Sequence, residues 1–290
     1  WVVLELSSYQ LADITHSPHI AACLMVVPEH LNWHADMDDY VSAKSRLFEW
    51  QNSDDVAIFF NESDTSKQIA HGGAAQKVPY YTSPGAWVNG NMITIDGQEI
   101  CTTSDIKLLG THNWQNVCAA ITITWQAGVR DVSAIRSVIT SFAGLPHRIE
   151  FVREVDGVRY YNDSFASGLH ATLSAMDAIE GKKVMVIGGY DRMLPLDYFA
   201  EQLPARLDHI RKLVLIGESG NRLAEVLSAH GIKDFALNLE AKTMPDIVHA
   251  AKKFAKNGDA VVLSPGFASF DMFKNFEDRG LQFKEVVSSL

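Results

Sequence analysis

Three groups in the first fifty residues can do chemistry together: the Glu5 carboxylate, the His30 imidazole and the Lys44 amine. The apolar run Val2 to Leu6 predicts a buried strand, Cys23 to Val27 a second, and Asp36 to Trp50 a helix. Glu5 and His30 then stand at or just beyond strand ends, where open α/β sheets place their chemistry. On the helix, Met37, Tyr40, Val41, Lys44, Leu47 and Phe48 recur at three- and four-residue spacing, so Lys44 shares an apolar stripe and points inward. A buried ammonium is costly and tends to lose its proton, and the free amine can capture carbon dioxide as a carbamate. That carbamate, beside Glu5 and His30, would complete an oxygen-rich magnesium site. A lysine that carries its head out to solvent fits the same spacing.

Other groups are spread along the chain. Asn113 and Asn116 lie three apart at a helix start, where their amides can read a purine or simply cap the helix. Arg148 offers a planar fork for phosphate or carboxylate, and His147 a ring that can stack; a linker residue in a surface ion pair is the plainer reading. The segment Tyr160 to Ser167 joins a strand to a helix starting near His170, so its backbone N–H groups can face an anion and Asp163 can accept from ribose hydroxyls. Gly188-Gly189, before Tyr190-Asp191-Arg192, permits close backbone approach to a ligand, or merely turns the chain. A helix predicted over Phe270 to Val287 puts Ser269 at its N-terminus, suited to a carboxylate, with Phe276 as a pocket wall. Phe270, Phe273 and Phe276 serve equally as core.

The elements that must position these groups are those of an α/β protein. Val56 to Phe60 is a short strand, and Asn89-Gly90 and Asp96-Gly97 turn a small antiparallel patch between Gly85 and Ile100. Helices follow over Val117 to Gln126 and Val132 to Phe142. A small-residue bend at Ala143 to Arg148 marks a domain boundary, giving domains over 1–143 and 144–290. Beyond the Asp156-Gly157 hairpin, strands at Lys183 to Ile187, Leu213 to Ile216, Phe235 to Leu239 and Ala260 to Leu263 alternate with helices. They build βαβ units on a mostly parallel sheet.

Composition excludes several classes. The 290 residues are 47% hydrophobic and 21% charged, enough for two ordinary cores. A net charge of −10 disfavours a nucleic-acid partner. No apolar run approaches the roughly 20 residues of a membrane span, so no membrane partner is expected. Cys23, Cys101 and Cys118 have neither metal-site nor disulfide spacing, which fits a reducing cytoplasm.

The stretches Glu5-Leu6-Ser7-Ser8-Tyr9-Gln10-Leu11, Glu29-His30-Leu31 and Ala43-Lys44 resemble the central domain of the Mur ligases, which build the peptide stem of bacterial peptidoglycan. The resemblance implies that Glu5 and His30 hold magnesium and that Lys44 is carbamylated. Gly110 to Asn116 resembles the family's adenine-contacting helix. Leu145-Pro146-His147-Arg148 resembles the inter-domain segment whose arginine touches nucleotide, in the form most typical of members that add D-glutamate. Asn162 to Ser167 follows the family's Asn-Asp-Ser-Lys-Ala-Thr, with Phe165 for the lysine and Ser167 for the threonine. Arg192 stands where the family has a lysine facing the incoming amino acid. Ser264 to Gly280 nearly matches Ser-Pro-x-x-Ala-Ser-x-Asp-x-Phe-x-Asn-Phe/Tyr-x-x-Arg-Gly.

The resemblance implies a partial P-loop-type central ATPase domain and a Rossmann-like α/β C-terminal domain that binds the amino acid. Glu5, His30 and Lys44 would be catalytic. Asn113, Asn116, His147, Arg148 and Asp163 would hold ATP; Ser167, Arg192, Ser269, Phe270 and Phe276 would hold the amino acid. The activity implied is ATP-dependent phosphorylation of UDP-N-acetylmuramoyl-L-alanine, then attack by D-glutamate on the acyl phosphate, by a monomer using Mg2+. A Mur or folylpolyglutamate-type ligase for another amino acid is one alternative. A noncatalytic nucleotide-binding module is the other. The chain opens inside a predicted strand without methionine and lacks a Gly-x-x-x-x-Gly-Lys-Ser/Thr loop. The expectation is therefore a fragment, inactive alone, whose first domain and phosphate loop lie upstream.

Overall fold

The computed structural model describes residues 1–28, 33–193 and 195–290. They form two compact units, Trp1–Phe142 and Ala143–Leu290.

The first unit runs α1 (Ser8–Leu11), β1 (Ile20–Cys23), α2 (Met37–Glu49), β2 (Val56–Phe60), α3 (Asp64–Ala70), β3 (Gln76–Tyr80), β4 (Trp87–Asn89), β5 (Met92–Ile95), β6 (Gln98–Thr102), α4 (His112–Gln126) and α5 (Val132–Ser141). Among the described residues, β1, β2 and β3 form a parallel sheet in that order. The central strand, Val-Ala-Ile-Phe-Phe, is buried throughout, as a parallel strand covered on both faces must be. Its alternation divides the core. Ala57 and Phe59 pack with Phe48, Ile69 and Ala70 of α2 and α3, while Val56, Ile58 and Phe60 pack with α4 and the antiparallel β4–β5–β6 patch.

Two strand expectations change here. The first strand of the sheet is Ile20–Cys23 rather than Cys23 to Val27, and Leu24 and Met25 beyond it are exposed. Val2 to Leu6 forms no strand: Val2, Val3 and Leu4 are 83%, 89% and 71% exposed. Apolar alternation makes a strand only where a neighbour completes the hydrogen-bond ladder, and no described strand pairs with this run. The helix α4 also starts earlier than expected, at His112.

The second unit runs β7 (Glu150–Val155), β8 (Val158–Asn162), α6 (Leu169–Ala178), β9 (Lys183–Gly188), α7 (Asp197–Gln202), β10 (Ile210–Ile216), α8 (Gly220–Ala229), β11 (Phe235–Leu237), α9 (Met244–Lys252), β12 (Ala260–Leu263) and α10 (Phe276–Ser288). Its sheet has the order β11-β10-β9-β12-β8-β7, parallel except for the β7–β8 hairpin. Met185 and Ile187 enter the core on one face and Val184 and Val186 that on the other. The chain passes from β8 over β12 to β9, moves outward through β10 and β11, and returns to β12. The order therefore reverses between β9 and β12, the position at which open α/β sheets leave a crevice beyond their strand ends.

The glycine pair ending β9 has a different reason from the one expected. A Cβ on Gly188 would fall 2.0 Å from the Ile216 carbonyl oxygen, and one on Gly189 would fall 2.3 Å from that of Ala268. The close approach is to neighbouring backbone, and Gly188 has φ 127°, which side chains rarely adopt. The last helix begins at Phe276, capped by the Asn275 side chain on the Asp278 amide, and not at Phe270. The segment before it is a turn in which the Ser269 carbonyl accepts from the Met272 and Phe273 amides. Replacing Gly188 with alanine should cost the second unit about 3 kcal/mol, from strain plus a clash that no side-chain rotation relieves. Urea unfolding of wild type and Gly188→Ala, followed by circular dichroism, measures it.

Candidate functional site

In the first unit a cavity of about 430 Å³ is lined by Glu5, Leu6, Ser7, Ser8, Gln10, Tyr40 and Lys44. One wall comes from α1 and the residues before it. A capping box fixes that turn: the Ser7 hydroxyl accepts from the Gln10 amide, and the Gln10 side chain accepts from the Ser7 amide. The other wall is α2. Lys44 is half-buried on it, not enclosed, with its Nζ 5.0 Å from the Tyr40 ring centroid. The buried positions of the helix are Tyr40, Ala43 and Phe48. Glu5 is exposed and precedes a helical turn rather than ending a strand. Thus Glu5 and Lys44 meet at one cavity, while His30 lies outside the described residues. Among the described residues no cluster of three or more His, Cys, Asp or Glu side chains could hold a metal.

Asn113 and Asn116 do stand at the start of α4, but their amides are partly spent on each other. Asn113 Nδ2 donates to the Leu109 carbonyl at 2.7 Å, and its Oδ1 accepts from Asn116 Nδ2 at 3.1 Å. They therefore close the turn into α4.

The second unit departs further from expectation. His147 is buried at φ 66°, and its Nδ1 accepts from Asn162 Nδ2 at 2.9 Å. Its ring meets Phe276 edge-on at 6.0 Å. Asp163 is 5% exposed. Its two oxygens accept from the Ile149 amide at 3.1 Å and the Ser264 hydroxyl at 2.6 Å. The amides of residues 163–166 are likewise taken, by Leu263, Asn162, His147 and Asp163. These four amides are engaged within the protein: that of Asp163 ties the hairpin to β12, that of Phe165 reaches His147, and the other two close the loop on itself.

Arg148 is exposed, its Cζ 4.1 Å from the Phe165 ring centroid, and Phe165 meets Phe276 edge-on at 5.0 Å. Arg192 is exposed and donates one N–H to the Ser167 carbonyl at 2.8 Å. Ser269 is 2% exposed and starts a turn instead of a helix, whereas Phe270 is 68% exposed. Ser167, Arg192, Ser269 and Phe270 all follow C-terminal strand ends of one sheet, around the crevice between β9 and β12.

Sequence reasoning passed over two residues that organise these places. Arg279 is 1% exposed and links the loops after β8 and β12. His34, on a loop without periodic signal, has a wholly buried side chain between Ser8 and Asp39. Arg279 sits within a motif already read; His34 has no local signature.

Family models match in two places: the Mur ligase middle domain over residues 1–124, and the Mur ligase glutamate ligase domain over 147–267. The UDP-N-acetylmuramoylalanine–D-glutamate ligase of Clostridium kluyveri is 37% identical over 299 residues, covering 100% of this chain and 63% of that protein. The enzyme of the same name from Acetivibrio thermocellus is 39% identical over 304 residues, covering 100% of this chain and 64% of that protein. The chain thus spans under two thirds of the length of these relatives. Among solved structures, the Thermotoga maritima MurF ligase in complex with ADP matches with TM-score 0.64 at 17% identity, covering 94% of this chain and 63% of that one. E. coli FolC in complex with DHPP and ADP matches with TM-score 0.61 at 19% identity, covering 93% and 61%. At such identities these likenesses are of fold.

The interior position of Asp163 makes stability depend on pH. Burial pushes its carboxyl up to about 7, against the hydrogen bonds from Ser264 and Ile149 and the charges of Arg148 and Arg279. The folded state then keeps a proton that the unfolded state releases near pH 4. This stabilisation is complete below about pH 4 and is lost as pH rises to about 7. Asp163→Asn, neutral throughout and still able to accept from Ile149, should flatten the fall in melting temperature between about pH 5 and about pH 8. Calorimetric scans of both proteins across that range test it.

Proposed function

Because the chain belongs to the Mur ligase family, carrying its middle domain and its glutamate ligase domain, we propose that the protein adds D-glutamate to UDP-N-acetylmuramoyl-L-alanine at the expense of ATP. Residues 1–143 serve the nucleotide and metal in this reading, and 144–290 the amino acid. The observation that carries it is the cavity shared by Glu5 and Lys44, the two described members of the expected magnesium site.

The fit of a magnesium ion depends on the state of Lys44. As an ammonium, its charge repels a dication. Addition of carbon dioxide to the free amine, with release of one proton, would convert it to a carbamate and so bring a second carboxylate-like group to the cavity that Glu5 lines. Two carboxylate-like groups with waters and substrate phosphate suit an ion that keeps part of its hydration shell, so no enclosed protein cage is required. When bound there, the ion neutralises charge on the transferring phosphoryl group.

The remaining residues bind and orient. A carboxylate oxygen of the acceptor attacks the γ-phosphorus and ADP leaves; the amine then attacks the acyl carbon, phosphate leaves, and the nitrogen gives up a proton. Arg148, over the Phe165 ring and without an ion pair among the described residues, presents donors suited to a nucleotide phosphate. Arg192 spends one N–H on Ser167 and keeps the others for a substrate carboxylate. Phe270 and Tyr190, 6.4 Å apart, offer apolar surface at the same strand ends.

Phosphate release by the intact gene product, given ATP, UDP-N-acetylmuramoyl-L-alanine and each of several amino acids, tests the reading. Release is expected with D-glutamate and should fall about a hundredfold in Lys44→Ala. Turnover with a different amino acid alone would keep the ligase chemistry and reassign the specificity to the region of Phe165 and Arg192. No release with any amino acid would overturn the proposal.

A further inference from the structure

The two walls of the first unit's cavity are far apart in sequence, and α1 is a single turn of helix that buries Leu11 and Ser8. His34 adds a polar link from that turn to α2. Its side chain is wholly buried, with Nε2 2.9 Å from the Ser8 hydroxyl and Nδ1 3.1 Å from Asp39 Oδ2. Asp39 is fixed in turn: its amide is capped by Asp36, and its Oδ2 also accepts from the Ala35 amide. The imidazole packs 5.2 Å from Tyr40 and edge-on, at 4.5 Å, against Trp33. Ser8 and Tyr40 both line the cavity, one on each wall.

We propose that His34 is a positioning residue that bridges Ser8 on α1 to Asp39 on α2 and so sets the separation of the walls bearing Glu5 and Lys44. The serine–histidine–aspartate order matches that of hydrolase triads, but Ser8 is 1% exposed and acts as a strut rather than a nucleophile. Each ring nitrogen has one partner on a different wall, which fixes the orientation of the ring and the distance it spans. The inference rests on the reading that Glu5 and Lys44 hold magnesium, but the bridge can be measured without it.

His34→Phe keeps the aromatic packing and removes both hydrogen bonds, whereas His34→Gln keeps the means to make one or both. Hydrogen exchange by mass spectrometry reads the bridge directly. In His34→Phe, exchange over residues 7–13 should rise about tenfold while segments in β2 and α4 keep their wild-type rates, and His34→Gln should restore most of the protection. Calorimetric titration with magnesium chloride reads the positioning. Binding should weaken about tenfold in His34→Phe and recover in His34→Gln. A histidine that merely fills space would leave magnesium binding in His34→Phe at its wild-type strength, because the phenylalanine keeps the packing, and that would overturn the proposal. Unchanged exchange over residues 7–13 would also overturn it. Absence of magnesium binding in the wild type would instead count against the metal reading, and the exchange arm would then decide the bridge.

Discussion

Arg279 carries a charge into the interior of the second unit, and the loops around the strand ends are shaped to receive it. Its Nε donates to the Ser164 hydroxyl at 2.9 Å, one terminal nitrogen donates to the Ser164 carbonyl at 2.8 Å, and both terminal nitrogens reach the Phe267 carbonyl at 3.2 Å. An unpaired guanidinium there would be far too costly. Burial draws its pKa down to about 10, while the charges of Asp271 and Asp163 hold it up. The planar fork is what allows one residue of α10 to bind two loops at once; a lysine is a point charge and cannot span them. Ser164 and Phe267, the residues it holds, lie in the same two loops as Phe165, Ser167, Ser269 and Phe270.

The first unit solves a similar problem with an imidazole. His34 ties α1 to α2 as Arg279 ties the loops after β8 and β12, in each case with a side chain that has a partner more than twenty residues away. Both are polar groups buried with their hydrogen-bonding capacity used, which gives a rigid arrangement rather than a penalty. Lys44 differs. It stays half-buried at the cavity, against the Tyr40 ring, and remains open to chemistry.

Phe165 illustrates how one departure from a family pattern is absorbed. A lysine at this position would add a charge beside Arg148. The aromatic ring instead supports the guanidinium from below and leans on Phe276. The positive charge beside Phe165 is that of the exposed Arg148.

Much of this was legible in the chain. Period-two and period-three-to-four patterns located β2, the antiparallel patch, α2 and most of the alternating elements after residue 150, because those patterns record which face is buried. Motif order located Glu5, Lys44, Arg148, Arg192 and Ser269 as groups worth following. The pattern misled where an element's existence depends on a neighbour: Val2 to Leu6 is apolar but unpaired, and Phe270 to Asn275 turns before the helix begins. It also could not say whether His147 and Asp163 face a ligand or the interior, since both directions use the same residue types. Residue identity and spacing determine propensity, burial period and available chemistry, which are local quantities. The assignment of each donor to one acceptor, as at Arg279, His34 and Asp163, is settled only when distant segments are brought within hydrogen-bond reach.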